Sequence, residues 1–422
     1  MKINRRRFNS ILATGVGAIA TPISVVGQSK PQVVVVGGGA GGATAARYLA
    51  ANDKVDVTLI DSSDSYTTCF YSNLYLGGFR TFDSITHNYE NLRSNFGINV
   101  VKGYVTEIDR DTQVVKLDSG QTFAYDRAVV APGIDLNYNS IPGYSEEAAE
   151  IAPHAWQGGK QTALLREKMD ALVDGRNIVM VAPPNPYRCP PGPYERASMM
   201  AHMIKTRGFK NSRVTILDTK PKFSKQGLFS QEWQRLYPDI IEWFPPDVHG
   251  GIIGIDAKAG IVETDLDSFE GDLLNPIPAM KAGAVAENSG LTDDSGFCPV
   301  DGASMRSRID EKLFVVGDAS IAGAMPKSAF SANSQARVAA INILGELTGS
   351  QVYRAAYANT CWSLISPDNG VKVGAAYSAD DAGEIVADST FISQAGESEE
   401  LRKTTYEESI GWYDSIIADM FG

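Results

Sequence analysis

Apolar and polar positions change period along the chain in an order that predicts strands alternating with helices. Gln32 is followed by the unbroken β-branched run Val33 to Val36, the pattern of a parallel strand buried on both faces. It passes directly into Gly37-Gly38-Gly39-Ala40-Gly41-Gly42, after which Ala43 to Ala51 reads as a helix. A second apolar run, Val55 to Ile60, ends at Asp61. The same plan recurs downstream, with a strand at Asn177 to Val181, a helix near Tyr194 to Lys205, and a strand at Arg213 to Leu217 ending at Asp218. Two more strands are read at Tyr125 to Gly133, closing in Ala131-Pro132-Gly133, and at Leu313 to Val316, ending in Gly317-Asp318. Met325-Pro326-Lys327-Ser328 then opens a helix running to about Leu344. Two strand–helix–strand units predict an α/β chain with two Rossmann-like dinucleotide-binding domains.

The first unit carries chemistry. Gly37, Gly39 and Gly42 hold the G-x-G-x-x-G positions: a tight turn, close backbone approach to a pyrophosphate, and close helix–strand packing. Asp61 stands 19 residues beyond Gly42, where an acid accepts hydrogen bonds from a ribose. Gly133 and Asp318, each closing a strand, select FAD among the dinucleotides, because flavoproteins with two such domains use these turns beside the cofactor. The helix opening at Lys327-Ser328 turns its positive end toward the negative charge of a reduced flavin. In the second unit the turn reads Ala182-Pro183-Pro184-Asn185-Pro186. Proline has no N–H to offer a pyrophosphate, and no glycine permits close approach. That domain is expected to keep its fold without binding nicotinamide.

Lys plus Arg is 38 against Asp plus Glu 50, a net charge of −12, which argues against a nucleic-acid partner. Four scattered histidines and the absence of ligand spacing predict no metal site. Asn4-Arg5-Arg6-Arg7-Phe8 precedes the short apolar stretch Ile11 to Ile19, so residues 1–29 read as a twin-arginine export signal. The apolar stretch is too short to span a bilayer. The expectation is a periplasmic protein with no membrane insertion.

The cysteines Cys69, Cys189, Cys298 and Cys361 are too far apart for a C-x-x-C-H haem-attachment motif. Cys69 follows Asp61 closely, where the chain passes the isoalloxazine. Cys189 precedes Pro190-Pro191-Gly192-Pro193 and a helix, whose N-terminus is expected to lower the thiol pKa. Cys298 is expected to be a small buried side chain.

With Val35-Val36-Gly37 through Ala46, Thr68-Cys69, Arg188-Cys189-Pro190-Pro191-Gly192-Pro193-Tyr194-Glu195-Arg196, Met325 to Ser328, Ser331 to Gln335 and Asn359-Thr360-Cys361, the chain resembles the flavoprotein subunit of flavocytochrome c sulfide dehydrogenase. The resemblance covers nearly the whole chain beyond the signal. More distantly, the chain is similar to sulfide:quinone oxidoreductases.

The resemblance implies two Rossmann-like dinucleotide-binding domains of the disulfide-reductase type plus a C-terminal interface domain. The FAD domain takes residues 30–140 and 300–348, the degenerate nicotinamide-type domain 141–299, and the interface domain 349–422. It also implies that Cys69 carries FAD through a thioether and that Cys189 and Cys361 form a redox-active disulfide. Glu195 then stands in the place of a proton-transferring carboxylate. The implied activity is oxidation of hydrosulfide, with electrons passing to FAD and on to a c-type cytochrome subunit that alone carries the haem. Trp362, Tyr377, Trp412, Tyr413 and Phe421 are candidates for an aromatic docking face. The alternatives are a sulfide:quinone oxidoreductase, which the polar segment Glu397 to Lys403 disfavours, and a non-catalytic flavin electron carrier.

Overall fold

A computed structural model describes residues 29–422; the export signal expected over residues 1–29 therefore lies, but for its last residue, outside the described residues. The strand Gln32–Val36 occupies an interior position of an eight-stranded sheet. It pairs in parallel with Asp56–Asp61 on one side and with Arg127–Val130 on the other. Leu313–Val315 continues the parallel run beside Arg127–Val130, and Asn99–Lys102 closes the opposite edge. Val33 to Val36 are all buried, which is why the strand reads as continuous rather than alternating. The helix Ala40–Ala50 starts three residues earlier than its predicted first residue, because the glycines at 41 and 42 lie inside its first turn. Its buried face of Ala and Gly meets Ala332, Ala336, Ala339 and Ala340 of the helix Ala329–Thr348. Small residues on both helices allow the close approach.

A second, four-stranded parallel sheet is ordered Ile241–Phe244, Val214–Asp218, Ile178–Ala182, Leu273–Pro276. The chain crosses between the sheets at Ile134–Asn137 and Ala279–Ala282, which pair antiparallel with each other. Cys298–Asp301 is back in the first sheet system. The chain ends in three long antiparallel strands, Ala356–Ser366, Asn369–Ala379 and Ile385–Ile392, followed by the helix Glu399–Phe421. Asp419 holds that helix to the first sheet's layer. Its carboxylate accepts from Tyr48 Oη at 3.0 Å, Asn333 Nδ2 at 2.7 Å and Arg337 Nη2 at 2.8 Å. Tyr377, Tyr413 and Phe421 are buried, so three of the five aromatics expected on a docking face are packed inside, Tyr413 stacked on Tyr71 at 4.4 Å. No helix among the described residues is long and apolar enough to cross a membrane.

Candidate active site

The glycine turn between the first strand and helix is a bare backbone cradle. Gly37 sits at φ +96°, and a Cβ there would stand 2.3 Å from the Ala131 carbonyl oxygen. A Cβ on Gly42 would lie 1.7 Å from the Gly37 carbonyl oxygen; its role is contact between turn and helix, and it does not line the cleft. Asp61, at the end of its strand, accepts the Gly38 N–H at 2.6 Å and the Ser63 N–H at 2.9 Å. Burial raises its pKa, partly offset by these bonds.

The turn opens into a cleft of about 1500 Å³, its open mouth included, that also takes in Cys69, Gly133, Cys189, Glu195, Asp318 and Cys361. The predicted residues Gly37, Gly39 and Asp61 line the same cleft. FAD fits these residues on three observations: the cradle admits no side chain, the cleft is long, and Asp318 Oδ1 is buried with no hydrogen-bond partner among the described residues. Buried polar atoms are rarely left unpaired, so that oxygen suits a ribityl hydroxyl. The other oxygen of Asp318 is taken by Arg188 Nε at 2.6 Å.

Lys327 is placed differently from its expected position beside the flavin. It faces a neighbouring cavity, and Nζ donates to the carbonyls of Asp318 at 2.8 Å and Ser320 at 2.9 Å. These two carbonyls and the Phe297 ring, 3.8 Å away, hold it there. The helix it precedes starts at Ala329, capped by Ser328 Oγ accepting the Ser331 N–H at 3.1 Å.

Cys189 lies in a tight turn at φ +57°. Its N–H donates to the Lys327 carbonyl at 2.8 Å and its carbonyl accepts the Gly192 N–H at 2.8 Å. The helix Gly192–Thr206 begins at once, with Pro193 in the first turn, where a missing N–H costs nothing. Cys361 sits mid-strand, its sulfur 3.4 Å from Asn359 Nδ2, while Asn359 Oδ1 accepts from Ser328 Oγ at 2.5 Å. All four cysteines are free thiols in this structure, so the expected bond between Cys189 and Cys361 is not formed here; both line the same cleft. Burial first, then each other's proximity on Cys189, pushes the thiol pKa values up. The lowering expected for Cys189 from its helix N-terminus is thus outweighed by burial. Cys298 is fully buried outside the cleft, and burial lifts its thiol to about 12.

Glu195 is anchored at both oxygens, by Asn73 Nδ2 at 2.8 Å and by the Leu364 N–H at 2.8 Å. Burial raises its pKa against those two bonds. Arg196, 1% exposed, donates to Asn73 Oδ1 at 3.1 Å, the His154 carbonyl at 2.8 Å, Asn275 Oδ1 at 3.2 Å and the Ala155 carbonyl at 2.6 Å. Asn73 was not singled out in the sequence, and Arg188 and Arg196 were named there only as the ends of a family segment, with no role: their partners lie tens of residues or more away, and no local pattern encodes the pairings. Trp362 and Trp412 line the cleft, their rings 5.3 Å apart.

The second domain's strand-end acid is closed off. Asp218 is fully buried and accepts from Tyr194 Oη at 2.6 Å, Trp243 Nε1 at 2.9 Å and Lys220 Nζ at 2.7 Å. Lys220 Nζ also donates to the Pro183 carbonyl at 2.6 Å, drawing the proline turn onto the strand end.

Comparison with known proteins agrees with this arrangement. Residues 162–278 match the central domain of the flavoprotein chain of sulfide dehydrogenase [flavocytochrome c], and residues 353–421 match the flavin-binding domain of flavocytochrome c sulphide dehydrogenase. Residues 31–173 match the pyridine nucleotide-disulphide oxidoreductase family. The mitochondrial sulfide:quinone oxidoreductase of Mus musculus is 23% identical over 303 residues, 68% of this chain and 65% of that protein. The Dictyostelium discoideum protein of the same name is 22% identical over 342 residues, 76% of this chain and 72% of that one. The chain thus spans just under two thirds of the mouse relative's length. The fold is similar to that of the sulfide:quinone oxidoreductase from Aquifex aeolicus, with a TM-score of 0.67 at 18% identity over 92% of each chain. It is also similar to that of NDH2 from Plasmodium falciparum, with a TM-score of 0.67 at 11% identity over 93% of this chain and 98% of that one. The chain thus carries the central and flavin-binding domains of a flavocytochrome c sulfide dehydrogenase flavoprotein, joined to a pyridine nucleotide-disulphide oxidoreductase domain.

Proposed function

We propose that the chain oxidises hydrosulfide at a Cys189–Cys361 disulfide beside FAD bound through Cys69, and passes the electrons to a c-type cytochrome subunit. The observation that carries this reading is the meeting of Cys69, Cys189, Cys361 and Glu195 in the cleft that the glycine turn opens into. When bound, FAD accepts two electrons and releases them singly, as coupling a thiol pair to a one-electron haem requires.

The chain's own residues carry the sulfur chemistry. Hydrosulfide attacks either sulfur of the disulfide, forming a persulfide on that cysteine and releasing the other as thiolate; the single negative charge passes from nucleophile to leaving group. A second hydrosulfide attacks the outer sulfur, leaving as HSS⁻ and returning the first cysteine as a thiol. Closing thiol and thiolate to the disulfide then gives up one proton and two electrons. Glu195, held beside the cysteines by Asn73 and Leu364, takes that proton; burial raises its pKa and so strengthens it as a proton acceptor. Asp61, Asp318 and the glycine backbone hold the cofactor. The haem belongs to the partner, since this chain has no C-x-x-C-H segment. The sealed Asp218 and the proline turn argue against entry of electrons from nicotinamide. Export by the twin-arginine route to the periplasm belongs to the same reading, on Arg5, Arg6 and Arg7.

Anaerobic titration with sulfide tests the reading: the flavin absorbance is expected to bleach, and added cytochrome c to restore it. A flavin that sulfide leaves oxidised points to a carrier subunit, and restoration by quinone alone points to a quinone reductase. The attachment is tested separately. After acid precipitation the flavin mass is expected to remain with the peptide containing Cys69, and Cys69→Ala to release all of it. Flavin in the wild-type supernatant would refute the thioether.

A further inference from the structure

Lys225 is a buried cation with no role in the chemistry above. It caps the helix Gln226–Leu236 at φ +62°, a left-handed conformation that a lysine adopts only when its surroundings impose it. Nζ donates to the Cys361 carbonyl at 3.0 Å and to Ser363 Oγ at 2.8 Å. Both are neutral, and no ion pair with a carboxylate is formed by Lys225 among the described residues, although its side chain is 6% exposed. Lys220, buried to the same degree, is paired with Asp218. A buried ammonium without an anion is costly. Burial brings the Lys225 pKa down to about 8, and the groups that hold it up are Cys361, Glu195 and Cys189 in that order. Glu195 grips the same strand three residues beyond Cys361, through the Leu364 N–H. Lysine and glutamate therefore dock on either side of Cys361, one positive and one negative.

We propose that Lys225 is a positioning residue whose ammonium, anchored on the Cys361 carbonyl and the Ser363 hydroxyl, balances the negative charge brought into the cleft when a sulfur nucleophile opens the Cys189–Cys361 bond. The inference rests on the disulfide reading above. Hydrosulfide brings one negative charge, and the thiolate it displaces keeps that charge in a buried site. Without a nearby cation the thiolate would be a poor leaving group. The titratable groups facing the pair are Glu195 and Arg196 on the Gly192–Thr206 helix, Cys69 and Tyr187 beside Cys189, Tyr377 on the neighbouring strand, and Lys225.

The test needs no sulfide. Purified flavoprotein carrying its flavin is reduced with a phosphine and alkylated with iodoacetamide across a pH series, and the peptides containing Cys189 and Cys361 are quantified by mass spectrometry. In Lys225→Met the alkylation midpoint of the more reactive of the two is expected to rise by about 1–3 pH units, the effect of removing an opposite charge at close range. Lys225→Arg is expected to restore the wild-type midpoint. Should Lys225→Met lose flavin, Lys225→Gln, which keeps amide donors for the carbonyl and hydroxyl, takes its place. An unmoved midpoint in the neutral variant, or an arginine variant that behaves like it, overturns the proposal. Failure of the disulfide reading looks different: cysteine variants would still bleach with sulfide, whatever Lys225 does to the thiol midpoint.

Discussion

Replacing Cys189 or Cys361 by serine is expected to leave the flavin bound and to cut its rate of reduction by sulfide about 10³-fold or more, the scale of losing a covalent nucleophile pair. A hydroxyl cannot form the bond that hydrosulfide opens, and an alkoxide is a far worse leaving group than a thiolate. Folding should survive either change. The structural bonds of Cys189 are made by its backbone, to the Lys327 carbonyl and the Gly192 N–H, and serine supplies both. At Cys361 the strand pairing to Val373 is likewise backbone only. Cys298→Ser serves as the control: it lies outside the cleft and should alter reduction little. Stopped-flow bleaching of the three variants decides the matter, and near wild-type rates in either active-site variant exclude a disulfide mechanism.

Legibility followed distance along the chain. The cradle is encoded within eleven residues, strand then glycines then helix, and every turn in it obeys local rules. Asp61 was found by its spacing from Gly42, and the structure brings it to Gly38, 23 residues upstream. Cys189, Glu195 and Cys361 stood out because proline and asparagine flank them in a family pattern, not because their meeting was readable. The surrounding shell was not. Lys225 to Cys361 spans 136 residues, Arg196 to Asn73 123, and Arg188 to Asp318 130; none of these pairings is written in a local motif. Lys327 shows the opposite failure. Its position at the opening of a helix whose positive end was expected beside the flavin suggested a place at the cofactor, but the carbonyls of Asp318 and Ser320 bind its side chain in a neighbouring cavity. The aromatic residues near the C-terminus mislead in the same way, since surface and core aromatics share one spacing, and Tyr377, Tyr413 and Phe421 prove to be packing.

The second large effect is expected on stability, from Arg196→Met. The guanidinium fork satisfies two backbone carbonyls and two side-chain amide oxygens, from His154, Ala155, Asn275 and Asn73. Those belong to three segments that are far apart in sequence, and the Trp156 ring lies 4.7 Å from the fork. Methionine matches much of the volume but donates nothing, so buried acceptors lose their partners in a place water does not reach. Breaking such a buried charged network costs about 3–5 kcal/mol. Chemical unfolding should show a lower midpoint at unchanged slope, the mark of lost stability rather than altered compactness. Arg196→Lys is expected to recover only part of it, because a single ammonium cannot reproduce a planar fork that meets four oxygens. The same substitution reaches the chemistry through Asn73. That amide accepts from Arg196 at 3.1 Å and donates to Glu195 at 2.8 Å, so freeing it loosens the carboxylate beside the cysteines. Sulfide-dependent bleaching in the folded fraction of Arg196→Met should therefore slow as well. A loss of stability under about 1 kcal/mol, the size of an ordinary substitution, would show that these three segments are held together by packing and not by the arginine.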